Sequence, residues 1–203
     1  MNIDIPNQLA AIYRQVGELG GGEGVGVLLR RSYGAAIDDV WNALTDPERM
    51  RRWFLPVSGE LRVGGTFQLE GNAGGEILTC EPPRLLRVTF GGPTSIVELR
   101  LTADGEETVL ELDHTVPMEV ARSAAGALYV GPGWDGALMG LDLYLRGEAP
   151  DDPAAAASSL EVQEFSKRSA HAWSAAVESS GAAGADEIAA ATETSIAHFA
   201  PDV

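Results

Sequence analysis

The 203 residues include one cysteine, Cys80, one lysine, Lys167, and three histidines. A lone cysteine makes no internal disulfide, so nothing points to an oxidising compartment. No stretch approaches the roughly 18 consecutive apolar residues needed to span a bilayer. The start, Met1 to Pro6, has neither a cationic leader nor an apolar run of secretory length. These absences predict a soluble, cytoplasmic protein without a membrane partner. Basic charge is scarce as well: 14 Lys and Arg stand against 30 Asp and Glu, a net charge of −16. That balance repels phosphate backbones and argues against nucleic acid as a partner. His171 and His198 have no second histidine at ligand spacing and Cys80 has no companion, so no metal and no other cofactor is expected. No serine occupies a Gly-x-Ser-x-Gly turn. The glycines between 20 and 26 lack a Gly-Lys-Ser/Thr ending and precede a strand instead of following one. Scarce lysine with abundant alanine suggests a GC-rich bacterial genome and carries no chemical meaning.

What is present is a core and a pattern. Apolar residues make up 45% of the chain, enough for an unaided core. Leu9, Ile12, Tyr13, Val16 and Leu19 recur at helical spacing after Pro6, which predicts an N-terminal helix within residues 1–22, stopped by Gly20-Gly21-Gly22. Val25 to Tyr33 reads as a strand. Ile37, Val40, Trp41 and Leu44 form one helical stripe. Asp46-Pro47-Glu48 then starts a second short helix that would present Met50, Trp53 and Phe54.

Beyond Phe54 the period changes from 3.6 to 2. Phe67 and Leu69, then Leu86, Val88 and Phe90, then Val97, Leu99 and Leu101, then Leu110, Leu112 and His114 alternate with polar residues. Glycine and proline breaks separate these runs, and Ala103-Asp104-Gly105 is a hairpin turn. A looser segment, 117–133, precedes a helix marked by Trp134, Ala137, Leu138, Leu141 and Leu145, with Asp135 as the acid of its first turn. Residues 148–160 read as a linker, and 161–203 as an acidic helical tail. In the tail Val162, Phe165, Ser169, Trp173 and Ala176 mark one helix, and Ile188, Thr192, Ile196 and Phe199 a second. Ten acidic and two basic residues lie from Glu148 onward, half the net charge. So small a hairpin must dock its apolar stripe on the main domain, 23–147, or on a second subunit as a homodimer. The fold class is α+β.

Several segments together resemble a known family. They are Ala35-Ala36-Ile37-Asp38-Asp39-Val40-Trp41-Asn42-Ala43-Leu44-Thr45-Asp46-Pro47-Glu48, Arg52-Trp53-Phe54, Leu61-Arg62-Val63-Gly64-Gly65-Thr66-Phe67, Pro82-Pro83-Arg84-Leu85-Leu86 and Gly133-Trp134-Asp135-Gly136-Ala137-Leu138. In this order, across residues 25–147, the chain resembles the SRPBCC proteins of the START/Bet-v-1-like superfamily. Its nearest branch is named for the C-terminal domain of the activator of the 90-kDa heat-shock-protein ATPase. Similar acidic tails occur on some actinobacterial members. The resemblance implies a helix-grip fold, a curved antiparallel sheet around a long C-terminal helix with an apolar cavity between them, here carrying a helical C-terminal extension. It implies a hydrophobic small-molecule guest, lipid- or polyketide-like. A polyketide cyclase-like enzyme and a co-chaperone-like protein-interaction module are the alternatives.

The candidate ligand-binding residues are Trp41, Trp53, Phe54, Phe67, Phe90, His114, Tyr129, Trp134, Leu138 and Leu141. An apolar pocket needs aromatic lining and a few orienting polar groups, for which His114 and Tyr129 are the candidates. The alternative for the rings is plain core filling. For His114 it is a strand-end histidine bonded to a neighbour. Cys80 reads as a small core residue, and Asp38-Asp39 and Glu106-Glu107 as solvated carboxylates. No catalytic residue is assigned, and the reading leans towards a binder over an enzyme.

Overall fold

A computed structural model describes residues 3–19 and 23–203. The chain opens with α1 (Ile5–Ala10), β1 (Tyr13–Leu19), β2 (Gly24–Tyr33), α2 (Ile37–Thr45) and α3 (Pro47–Met50). Six strands follow: β3 (Val57–Gly59), β4 (Thr66–Leu69), β5 (Gly74–Glu81), β6 (Leu85–Thr89), β7 (Ile96–Asp104) and β8 (Glu107–Pro117). The remainder is helical: α4 (Met118–Ala121), a 3-10 helix (Ala124–Tyr129), α5 (Gly131–Leu145), α6 (Pro153–Ala157), α7 (Leu160–Ser180) and α8 (Ala185–Phe199). The strands hydrogen-bond in the order β1-β2-β8-β7-β6-β5-β4-β3. Pairing from β3 through β7 is antiparallel, with Val57 opposite Leu69, Cys80 opposite Leu86 and Thr89 opposite Ile96. The α+β class stands.

Five local expectations are corrected. The N-terminal helix is a single turn and a half, α1, and the stretch after it is strand β1. Ile12 and Val16 are four apart, a spacing that one helix face and one strand face both satisfy. Tyr13 and Gln15 are exposed while Ile12 and Val16 are buried, which is the alternation of a strand. The glycine stop at 20–22 lies outside the described residues. Segment 117–133 holds α4 and the 3-10 helix, and linker 148–160 holds α6. Trp53 and Phe54 lie just past α3, in the turn that follows it. Asp135 is the fifth residue of α5, past its first turn, and fully buried.

The residues form two compact units. One gathers the described residues up to Leu29 with Thr115–Met139 and Ala155–Val203; the other joins Arg30–His114 to Gly140–Ala154. In the first unit, α7 carries the buried stripe Phe165, Ser169, Trp173 and Val177, spaced four apart. Ser159 caps α7 by accepting from the Val162 N–H, and Gly181, at φ 68°, ends it in the left-handed conformation. The stripe packs on β1 and the 3-10 helix, and α8 packs on α7 and the same 3-10 helix. The tail therefore docks on its own chain.

The second unit is the sheet body. Along β8, Thr108, Leu110, Leu112 and His114 are buried while their neighbours are less so, the period of two that one covered face imposes. Val97 and Leu101 of β7 and Val88 of β6 are buried in the same rhythm. Val40, Trp41 and Ala43 form the covered stripe of α2. No helix among the described residues is long and apolar enough to cross a membrane.

Candidate functional site

The hairpin β6–β7 sets the most distinctive polar feature of the second unit. Thr89 stands opposite Ile96, and the Phe90 N–H donates to the Ser95 carbonyl at 2.9 Å, closing the turn over Gly91-Gly92-Pro93-Thr94. By parity Phe90 belongs with Leu86 and Val88, and Ser95 with Val97, Leu99 and Leu101. Each therefore sits at the end of its strand's apolar file. On β8, His114 ends the file Thr108-Leu110-Leu112.

The three ends meet. Ser95 Oγ lies 2.9 Å from His114 Nε2, and the Phe90 and His114 rings meet edge to face with centroids 5.9 Å apart. His114 is only 6% exposed, and Ser95 is half-buried. Burial pushes the His114 imidazole down to about 4, because a charged ring has little water to solvate it. At neutral pH the pair is thus an uncharged donor–acceptor couple on an apolar wall.

A second aromatic cluster in this unit is built on the turn after α3. Trp53 and Phe54 stack at 5.3 Å, and the Trp53 indole N–H donates to the Ala43 carbonyl of α2 at 3.0 Å. Gly140 of α5 meets this turn closely: a Cβ there would stand 3.1 Å from the Trp53 carbonyl oxygen. Trp41 and Leu141 are buried, and Phe67 is half-buried. Of the ten residues chosen from the sequence, these seven lie in the second unit. Tyr129, Trp134 and Leu138 belong to the first, where Leu138 is buried, Trp134 half-buried and Tyr129 exposed.

Each unit also holds a buried ion pair that the sequence reading missed. In the first, Asp135 Oδ2 accepts from Arg14 Nε at 2.8 Å, from Trp173 Nε1 at 3.1 Å and from Ser169 Oγ. Burial pushes the Asp135 carboxyl up, and Arg14, Ser169 and Trp173 pull it back. In the second, Arg31 Nη2 stands 2.9 Å from Asp142 Oδ2, with its guanidinium 5.5 Å from the centre of the Tyr33 ring. A polar Ser169 inside the apolar stripe of α7 was the available signal for the first pair. For Ser95 the signal was its shared parity with Val97 and Leu99.

A groove of about 400 Å3 lies in the first unit, lined by Tyr13, Arg14, Gln15 and Val16 of β1 and by Ala175, Ala176, Ser179 and Ser180 of α7. None of the ten sequence-chosen residues lines it. Among the described residues no three His, Cys, Asp or Glu side chains are grouped to hold a metal ion.

Residues 34–146 match the family model described as "Activator of Hsp90 ATPase homolog 1-like protein". The crystal structure of CalU16 from Micromonospora echinospora is 40% identical, over 82% of this chain and 98% of that one, with a TM-score of 0.68. The solution structure of CalU16 gives 41% identity, 84% and 97% coverage, and a TM-score of 0.70. DynU16, a protein of the dynemicin biosynthetic locus, is 29% identical over 63% of this chain and 49% of that one, with a TM-score of 0.52. No curated protein matches the chain.

Proposed function

Since the chain belongs to the activator of Hsp90 ATPase homolog 1-like family, a branch of the SRPBCC helix-grip proteins, we propose that it binds a small hydrophobic molecule. The site is the interior of the second unit. The observation that carries this reading is the Ser95–His114 pair beside Phe90. It is a polar couple set at the end of an apolar face, the composition of a site that takes oily guests and orients them by one or two hydrogen bonds. Apolar burial would supply the affinity, at about 25 cal/mol for each Å2 removed from water. A relative encoded in a biosynthetic locus adds support, because a binder of small molecules has a use there.

This reading places Phe90 and His114 at the guest, with Trp41, Trp53, Phe54, Phe67 and Leu141 as the apolar surroundings in the same unit. Tyr129, Trp134 and Leu138 are left outside it. Binding without turnover is the favoured activity, because burial leaves the His114 imidazole a much weaker base than an ordinary histidine and poorly suited to take the Ser95 proton. Native mass spectrometry of the protein purified from bacteria tests the proposal, together with titration by the neutral dye Nile red. A retained lipid-like mass, or saturable dye fluorescence, is expected. A bare protein mass together with no saturable dye signal would remove the proposal.

A further inference from the structure

The guest's chemical class follows from what the interior of the second unit offers in charge, and this step rests on the binding reading given above. Ser95 Oγ and His114 Nε2 share one proton across 2.9 Å. If the ring accepts, the serine oxygen keeps lone pairs for a hydroxyl of the guest; if the ring donates, the serine hydrogen is left for a carbonyl. Half-buried Ser95 is the more accessible member, so it is the contact atom. Neither arrangement carries charge.

The buried and half-buried arginines of this unit are committed. Arg31, the one buried arginine among the described residues of this unit, is held by Asp142 at 2.9 Å. Arg49 pairs with Asp39 at 2.7 Å and donates to the Tyr144 hydroxyl at 3.0 Å. Arg30 pairs with Glu111, Arg62 with Glu60 and Arg100 with Glu98, all towards solvent. A carboxylate entering this interior would lose its hydration with no counter-charge to replace it. The net charge of −16 opposes its approach from farther away.

We infer that the guest is an electrically neutral hydrophobic molecule, held by one hydroxyl or carbonyl group at the Ser95–His114 pair, and that carboxylate-bearing lipids of the same length are refused. The imidazole's neutrality at pH 7 agrees with this.

The experiment is displacement of Nile red from the full chain at pH 7.5 by decanol, 2-decanone and decanoate, three probes with matched tails. Decanol or decanone should displace the dye at a concentration at least about tenfold below that of decanoate, the ratio that about 1.4 kcal/mol of preference produces. Ser95→Ala should weaken decanol and decanone severalfold and so narrow their preference over decanoate, each probe being referred to the dye affinity measured for that variant. A thermal melt by circular dichroism confirms that this variant folds. Decanoate binding as well as decanol would overturn the inference and leave the binding reading intact. A preference undiminished in Ser95→Ala would overturn the role given to the pair. Loss of all saturable binding by dye and probes would take both readings down together.

Discussion

Asp135 and Asp142 lie seven residues apart on α5, and each takes an arginine from an N-terminal strand, Arg14 of β1 and Arg31 of β2. The same ion pair is built in two environments. Asp135 is 0% exposed and its Oδ2 receives three donors, while the Arg14 side chain is 9% exposed. Arg14 also donates through Nη1 to the Leu9 and Ile12 carbonyls. Asp142 is 13% exposed and shares its carboxylate with the surface residue Arg146 at 3.5 Å. At the carboxylate end the first pair is sealed and the second meets solvent, whereas the arginines run the other way, Arg14 at 9% and Arg31 at 4%. Burial, more than the number of ion pairs, therefore decides what each contributes.

The sealed pair should be the more costly to break. Asp135→Asn leaves the Arg14 guanidinium buried without its counter-charge and turns an amide towards three donors. By urea denaturation the loss should reach about 3–5 kcal/mol, the range for uncoupling a buried pair. Replacing both partners with apolar residues, Arg14→Met with Asp135→Leu, should recover much of it, because the desolvation penalty vanishes with the charges. A single Asp135→Asn variant within about 1 kcal/mol of the parent would show that Arg14 is solvated after all.

The two pairs also show where a sequence can be read and where it cannot. The tail helices were legible because Val162, Phe165, Ser169, Trp173 and Ala176, and then Ile188, Thr192, Ile196 and Phe199, sustain intervals of three and four over several turns. His114 could be placed on the covered face of β8 by parity alone, and it is there. The N-terminal strand was misread because Ile12 and Val16 fit both periods, and only the exposure of Tyr13 and Gln15 separates them. Asp135 was misread for a different reason. Local logic assigns an acid near a helix start to solvent and the helix dipole, whereas its real partners come from positions 14, 169 and 173. Ser95 was overlooked because its partner is 19 residues away, across a hairpin whose register the sequence does not print.

His114 gives the second unit a buried titratable group to set beside Asp135 in the first, and the signs are opposite. Its folded pKa, about 4, lies below the ordinary histidine value of 6.5. As pH falls through that window the unfolded chain takes the proton first, so stability present above 6.5 is lost progressively down to about 4. The gap corresponds to a loss on the order of 3 kcal/mol. Asp113, raised by burial and by its neighbour Glu98, works the other way, gaining relative stability on acidification. Urea midpoints of the parent and of His114→Phe at pH 7 and pH 4.5 isolate the histidine. The parent should lose more stability than the variant over that interval, and equal losses would show that the ring is already hydrated in the folded state.

The smallest effect expected is at the solvent-touched pair. Asp142→Asn keeps an acceptor oxygen for Arg31 and removes the charge, while the nearby Tyr33 face remains beside the guanidinium. The loss should be about 2 kcal/mol, the scale of one hydrogen bond to a charged group. It should also shrink further with salt, because solvent and ions reach Asp142 at 13% exposure and do not reach Asp135 at 0%. Measuring Asp135→Asn and Asp142→Asn side by side at low and high ionic strength tests the comparison directly. Equal losses with equal salt dependence would mean that the two aspartates share one environment, and that their difference in exposure has no energetic consequence.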